Sequence, residues 1–496
     1  MIPRPDSVNP GPIGAGDEAA PRVPLCVDLD GTLLAGDVLY ESAVRYVKGN
    51  IFRLFYLVVW LLRGRNYLKG RLAQVVEFEP ATMPWRQELL AVLQTEKTAG
   101  RTIYLITASH GELAERLVRH LALFDGVYGT DSTRNLKGLR KAAFLCEKFG
   151  ERGYDYIGDS RADYPVWAKA AAGMVVGPPS RVAGAMRANP RVQELKTEQH
   201  SLFRSTRRLL RVHQWAKNFI VFVPLIASHR IFETQNVLLT TLAFCSFCTT
   251  ASATYILNDL LDIEHDRLHH EKRKRPLASG ALSIPFAIFA SGFLTLLSIA
   301  FAAFLPIPFI LCLCIYIIFT LAYSFAFKSI ILADTILLAC LYTIRLLAGH
   351  AATFVPLSIW LLAFAVFIFF SLAVAKRFAE LKHLALRAKQ NHSAPGRDYL
   401  VEDMPTLLAL GVGSGLISVL VLVLYVQSLT VRQFYTEPLV LLVLVPVYLY
   451  WIGRIWILAQ RGLLNEDPVL FAITDKVSYG VVFFAFAVMV LAALWK

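Results

Sequence analysis

Charge is scarce in this chain. Asp, Glu, Lys and Arg make up 18% of its 496 residues, while apolar residues reach 56%. Soluble domains carry about a quarter charged residues and about 45–50% apolar ones. The balance therefore excludes a disordered chain and an ordinary soluble enzyme. Cysteine is scarcer still, seven in all, which excludes a disulfide scaffold and demands no oxidising compartment. Cys245, Cys248, Cys312, Cys314 and Cys340 lie in apolar runs, where cysteine acts as a small packing residue. Cys245 and Cys248 have metal-like spacing but no second pair or nearby His, so they too read as packing. Acidic residues are the minority sign, leaving a net charge of +13. Residues 1–22 are polar and rich in Pro, Gly and Ala, which reads as a disordered tail rather than a signal peptide.

What is present changes character near residue 200. Before it, charges are dense and apolar runs short; after it, apolar stretches of about 20 residues repeat, each enough to cross about 30 Å of hydrocarbon as helix. Nine spans are expected, at 212–229, 237–258, 285–304, 306–326, 330–349, 357–376, 405–428, 437–457 and 478–495. A basic linker at 181–211, with Arg204, Arg207, Arg208 and Arg211, suits anionic headgroups rather than nucleic acid. With a cytoplasmic amino terminus, the inner loops hold Arg267, Lys272, Arg273, Lys274, Arg275, Lys328, the basic run 376–397, Arg454, Arg461 and Lys476. The outer side holds Arg230, Arg432 and Lys496. That asymmetry fits the positive-inside rule and predicts a multi-pass protein of the inner, cytoplasmic membrane. The apolar run 51–62 reaches only about 18 Å as helix and is too short to span. It is expected to be buried or interfacial.

The first half alternates short apolar runs with helical patterns. Runs at 23–28, 102–108, 154–158 and 173–177 read as strands, with helices at 111–123 and 138–149. This predicts a parallel sheet with crossover helices. Polar residues follow the strand ends, where such sheets bind ligands. Four motifs occur in order: Asp28-Leu-Asp30-Gly-Thr-Leu, Thr107 after Leu-Ile, Asn-Leu-Lys137-Gly, and Gly158-Asp159-Ser-x-x-Asp163. Together they resemble the haloacid dehalogenase (HAD) phosphatases across about 23–180. The resemblance implies a Rossmann-like α/β domain with a helical cap at about 35–99. It also implies Asp28 as nucleophile, Asp30 as general acid and base, and Mg²⁺ on Asp28, Asp159 and the Asp30 carbonyl. Thr107 and Lys137 would hold the phosphoryl oxygens. Lys141, a competitor for Lys137, reads as a surface residue one turn into a helix. A domain of this kind that binds without turnover is the alternative.

The second half carries Asn258-Asp259-x-x-Asp262-x-x-x-Asp266, then His269, His270, Lys272, Arg273, Lys274 and Arg275-Pro-Leu-Ala-Ser-Gly. Asn258, Asp262 and Asp266 fall on one stripe of a helix. Carboxylates at the end of a span are costly and functional by default; Mg²⁺ between them and a diphosphate explains the cost. These motifs resemble the UbiA superfamily of membrane prenyltransferases, which implies an all-α polytopic domain over 212–496 with Asn258, Asp262 and Asp266 as metal ligands and Asp262 and Asp266 as catalytic residues. The family's second Asp-rich motif has no counterpart in Ala375-Lys376-Arg377-Phe378-Ala379-Glu380-Leu381. That departure, with Gln214-Trp215-x-Lys217-Asn218, Tyr323-Ser-x-x-x-Lys328, Asp334 and Arg345, resembles the decaprenyl-phosphate phosphoribosyltransferases of the same superfamily.

The resemblance implies transfer of 5-phosphoribose from phosphoribosyl diphosphate to a polyprenyl phosphate. Lys217, Asn218, Asn258, Lys272, Arg273, Arg275, Tyr323, Lys328, Asp334, Arg345, Lys376 and Arg377 would bind these anionic substrates. A structural pairing of Arg345 with Asp334, 11 residues and about 16 Å along a helix, is the alternative for those two. The HAD half would remove a phosphate, such as the 5-phosphate of the lipid-linked product. The competing function is prenyl transfer to an aromatic acceptor of the quinone or haem type. The sequence sets no oligomeric state.

Overall fold

The computed structural model describes residues 23–48, 50, 52–130, 136–197, 201–356, 358–387, 398–428, 431, 435–464, 471 and 475–494. The expected tail 1–22, residues 388–397 of the basic run, Arg432 and Lys496 lie outside the described residues. The chain divides into two compact units: Met1–Leu209 with Ile256–Phe289, and Leu210–Tyr255 with Ala290–Lys496.

The first unit is built on a parallel sheet of six strands. These are β1 (Leu25–Val27), β2 (Ile103–His110), β3 (Gly126–Thr130), β4 (Asp155–Gly158), β5 (Gly173–Val175) and β6 (Val192–Glu194), in the order β3-β2-β1-β4-β5-β6. The four expected strands are present; β3 and β6, towards the two edges, were not foreseen. Leu25 and Val27 enter one hydrophobic cluster and Cys26 the other, as the two-residue alternation of a strand buried on both faces requires.

Among the described residues, four α-helices lie between β1 and β2: α1 (Val38–Lys48), α2 (Arg53–Leu62), α3 (Arg65–Val75) and α4 (Gln87–Thr98). Leu89 and Leu93 of α4 are fully buried in the cluster beneath the sheet, so α4 belongs to the sheet's covering layer. The apolar insertion is α1 to α3. Of the run 51–62, residues 53–62 form α2 and are mostly uncovered, Trp60 being the one buried residue of that helix. Crossover helices α5 (Gly111–Val118), α6 (Leu139–Phe149), α7 (Tyr164–Lys169) and α8 (Pro179–Ala188) follow.

Beyond β6 the chain runs through α9 (Leu202–Leu209) and α10 (Val223–Ala227) into the long α11 (Thr234–Leu261), then α12 (Ile263–Leu268) and α13 (Ile284–Ala302). The segment Ile256–Phe289 packs with the first unit through ion pairs. Arg267 grips Glu41 of α1 with two nitrogens, at 3.0 and 2.7 Å, and also donates to the Thr82 and Ala278 carbonyls. Glu264 accepts from Arg45 and Lys48 of α1. The Arg267 and Glu41 side chains are 7% and 5% exposed, so removing either partner would leave a buried charge.

The second unit is helical: the first 22 residues of α11, most of α13, then α14 (Ile307–Phe325), α15 (Ala333–Thr353), α16 (Ile359–Arg387), α17 (Met404–Gln427), α18 (Leu444–Gln460) and α19 (Lys476–Leu494). Among the described residues, eight helical segments are long and apolar enough to cross a membrane, matching the second to ninth expected spans. The first, 212–229, is different: Val212–Phe222 winds as a 3₁₀ helix before the short α10. Its polar Lys217 and Asn218 are buried inside the unit, and Pro224 removes a backbone donor just beyond.

Candidate functional site

Parallel strands bring their carboxyl ends to one edge, and the acidic motifs gather there. Asp28 follows β1 and Asp159 follows β4. Gly31 makes the approach possible. Its φ is +78°, and a Cβ there would lie 2.4 Å from Asp159 Oδ2, so the glycine of this motif cannot carry a side chain. Oxygens of Asp28, Asp159 and Asp163 lie within 4.8 Å of one another. Lys141 Nζ donates to Asp28 Oδ1 at 2.8 Å and lies 3.5 Å from Asp163 Oδ1. It also bonds the Tyr156 hydroxyl at 2.9 Å, which donates to Asp163 at 2.9 Å. Lys141 is 2% exposed. The reading of it as a surface residue is therefore corrected. Lys141 and Leu145 are both buried residues of α6, four apart, and that spacing was the available signal for its inward direction.

Lys137 is exposed and lines the cavity of about 530 Å³ that opens on the acidic cluster. Thr107 is fully buried in β2, its hydroxyl accepting from the Ser109 amide. Asp30 is held on both oxygens, by the Val38 amide at 2.8 Å and the Ser109 hydroxyl at 2.6 Å. Burial pushes the Asp28 carboxyl up to about 8 against the pull of Lys141. Burial also lifts Asp30 to about 6, helped by Asp37, and Asp159 to about 6, helped by Asp163. Burial opposes the Lys141 ammonium, but the Asp28 and Asp163 carboxylates outweigh it and raise Lys141 above the usual lysine value. Three close carboxylates against the Lys141 ammonium and the Arg181 guanidinium, which lies 3.4 Å from Asp159 Oδ2, still leave one negative charge in excess among oxygen donors, a set suited to a hard divalent cation.

The second acidic motif keeps the expected four-residue register, with the Asp262 amide donating to the Asn258 carbonyl and the Asp266 amide to the Asp262 carbonyl, both at 2.9 Å, but not one unbroken helix. Helix α11 ends at Leu261, and Asp262, at φ −94° and ψ 7°, caps the separate helix α12 that carries Asp266. Asp259 and Asp266 are 4% and 3% exposed and share Arg275, at 3.0 and 2.7 Å. Asn258 and Asp262 are half-buried, while Lys272 and Arg273 are exposed on a single 3₁₀ turn. Asp259, present in the motif but absent from the expected ligands, is thus part of the cluster.

In the second unit, Asp334 does not pair with Arg345. It is fully buried against Arg377 of α16 and accepts from the Tyr399 hydroxyl at 2.6 Å. Arg377 also grips Glu380, at 2.9 and 2.7 Å, and donates to the Tyr323 hydroxyl at 2.9 Å. With its guanidinium 1% exposed and divided between two carboxylates, Arg377 is an internal tie, which corrects its reading as a substrate contact. Arg345 donates to Asn218 Oδ1 at 2.8 Å and to the Tyr316 hydroxyl at 3.1 Å, with its guanidinium 4.7 Å from the Tyr316 ring centre. Lys217 Nζ lies 5.9 Å from the ring centre of Tyr342. Tyr323, Lys328 and Lys376 are half-buried.

Comparison with known proteins bears on the membrane half. A model of the UbiA prenyltransferase family matches residues 219–487. The uncharacterized protein y4nM of Sinorhizobium fredii is 36% identical over 92% of this chain and 89% of its own length. The decaprenyl-phosphate phosphoribosyltransferase of Corynebacterium glutamicum is 36% identical over 35% of this chain, and the match spans 54% of that enzyme. A UbiA homolog from Archaeoglobus fulgidus, solved with DMAPP and Mg²⁺, has a TM-score of 0.45 and 19% identity, covering 58% of this chain and 99% of that one. Since the family's pattern runs through more than half of the sequence and through most of the spans, this integral membrane protein belongs to the UbiA prenyltransferase family.

Proposed function

We propose that the membrane half is a phosphoribosyltransferase and the α/β half a phosphatase of the HAD type. The transferase would join 5-phosphoribose, from phosphoribosyl diphosphate, to a polyprenyl phosphate. The acceptor phosphate oxygen attacks the anomeric carbon, and the bond from that carbon to the diphosphate oxygen breaks. Positive charge grows on the sugar and negative charge on the departing diphosphate. Lys272 and Arg273, exposed beside the Asp262 loop, would meet the diphosphate. Arg275 would hold Asp259 and Asp266 in place. Similarity to decaprenyl-phosphate phosphoribosyltransferases supports this reading over aromatic prenylation. So does the sequence of 375–381, which carries no second Asp-rich motif.

The observation that carries the phosphatase reading is the Asp28–Lys141–Asp163 cluster beside Asp159. Asp28 Oδ would attack phosphorus, and the ester P–O bond breaks as Asp30 protonates the leaving oxygen. Asp30 then takes a proton from water, which releases phosphate from Asp28. Lys141 neutralises the nucleophile and the phosphoryl oxygens, a role the resemblance had given to Lys137. Mg²⁺, held by Asp28, Asp159 and Asp163 here and by Asp262 with Asp266 in the transferase, would withdraw charge from phosphoryl oxygens at each centre. The lipid-linked 5-phosphate made by the membrane half is the substrate proposed for Asp28.

The test is purified full-length protein with labelled phosphoribosyl diphosphate, polyprenyl phosphates and Mg²⁺. Diphosphate should appear only when the lipid is present, followed by inorganic phosphate. Prenylation of 4-hydroxybenzoate without use of phosphoribosyl diphosphate would overturn the transferase assignment. Failure to hydrolyse either p-nitrophenyl phosphate or the lipid product would overturn the phosphatase assignment.

A further inference from the structure

Helix α2 has an unusual surface. Its ten residues read RLFYLVVWLL. The inner side packs Trp60 and Leu57 with Leu39, Leu68 and Leu72 of α1 and α3. The outer side leaves Phe52 79% exposed, Phe55 69% and Leu62 83%. A contiguous apolar patch of that kind is a contact surface rather than scattered exposure. Basic residues frame it: Arg53 stacks on Tyr46, Arg63 on Tyr67, and Arg65 opens α3. An apolar face with arginines at its ends is the pattern of a helix lying in the plane of a bilayer interface. At about 15 Å long, it cannot cross.

A second observation points the same way. The cavity over Asp28 is not walled by the sheet and the α1–α3 insertion alone. Leu277, Leu282, Ile284 and Pro285 line it, together with Arg65 and Lys69 of α3. Ile284 and Pro285 begin α13, a candidate membrane span. Gly280, at φ +73°, lets this segment close on the nucleophile loop, since a Cβ there would meet the Ala35 Cβ at 2.6 Å. One side of the cavity therefore carries the α3 cations, and another is apolar and continues into a span.

We propose that α2 is seated in the headgroup layer of the membrane and that the Asp28 cavity is loaded from the lipid side. Its substrate is a phosphomonoester carried on a membrane-resident lipid, with the apolar part lying along 277–285. The substrate half of this proposal rests on the phosphatase reading of Asp28. The seating of α2 does not.

The experiment uses the full chain in nanodiscs containing anionic lipid and a diazirine-bearing phospholipid, with peptide mapping after irradiation. Labelling is expected within 52–62. Its absence there, with labelling of the spans intact, overturns the seating of α2. A second arm compares Phe55→Glu with Leu62→Glu. Each should lower the rate on a lipid-linked phosphosugar by about tenfold or more, since each removes an apolar anchor, while p-nitrophenyl phosphate hydrolysis stays unchanged. Equal rates on the lipid substrate in wild type and both variants overturn lipid-side loading and leave the phosphatase reading standing. Labelling of α2 with no hydrolysis of any phosphomonoester overturns the phosphatase reading and the substrate half, and leaves the membrane seat standing.

Discussion

Lys141 and Lys137 are four residues apart, yet their environments are opposite. One is sealed against Asp28, Tyr156 and Asp163, and the other is exposed. Lys141→Ala should lower kcat for phosphate release by about 10²–10³-fold, the scale of losing one preorganised charge at a reacting oxyanion. Lys137→Ala should act mainly on KM. Steady-state kinetics with p-nitrophenyl phosphate separates the two, and the reverse ranking would restore Lys137 to the centre. The carboxyls add a pH dependence. Asp28 near 8 and Asp159 near 6 sit above their ordinary values. In the metal-free protein their contribution to stability is full below about pH 4 and is lost as pH rises through about 6 and then about 8. A cation competes with those protons. The gain in melting temperature on adding Mg²⁺ should therefore be larger at pH 8 than at pH 5.5. A gain independent of pH would count against metal binding at these carboxylates.

At the scale of elements, the strands that carry motifs were legible because each is a short apolar run ending in an acid or a threonine. The edge strands were not. Gly126–Thr130 contains two glycines, and Val192–Glu194 has two polar residues in three, so neither shows an apolar run or a clear period. The spans were legible from length alone, except 212–229, where buried Lys217 and Asn218 accompany a 3₁₀ winding that hydropathy does not register. Partners across helices were the least legible. Nothing in the spacing of Asp334 and Arg345 indicates that the tie from Asp334 runs to Arg377, because that choice depends on how α15 and α16 pack. Arg377→Met should destabilise the protein by about 3–5 kcal/mol, since it leaves Asp334 buried without its cation. The double variant Asp334→Leu, Arg377→Met should recover most of that loss. Thermal unfolding in detergent reads both, and a double variant no better than the single one would mean that Arg377 acts on something other than Asp334.

At the scale of the molecule, the boundary between the two units does not follow the order of the chain. The segment Ile256–Phe289, which takes in the last six residues of α11, the connection and the first six of α13, packs with the α/β unit in space. Hydropathy placed the change of composition near residue 200 and could not reveal this return. A fragment ending at 210 would lack Arg267 and Glu264, so Glu41 loses its cation, Arg45 and Lys48 lose their carboxylate, and the face of α1 that this segment covers is bared. Such a fragment should melt well below the full chain, having lost these ion pairs and the surface packed against them. If the fragment melts as high as the intact protein, Arg267 adds little to the α/β unit.

The same return sets an order of events on the ribosome. At about 5–20 residues per second, Phe289 is added several seconds after Leu209, and in between one candidate span, Thr234–Leu261, is completed and the next begins at Ile284. Through that interval the nascent α/β unit lacks one wall of the cavity over Asp28 and the Arg267 partner of Glu41. The α/β unit therefore completes its fold only after this next segment has begun to emerge, so a defect in membrane insertion is also a defect in building the cavity over Asp28.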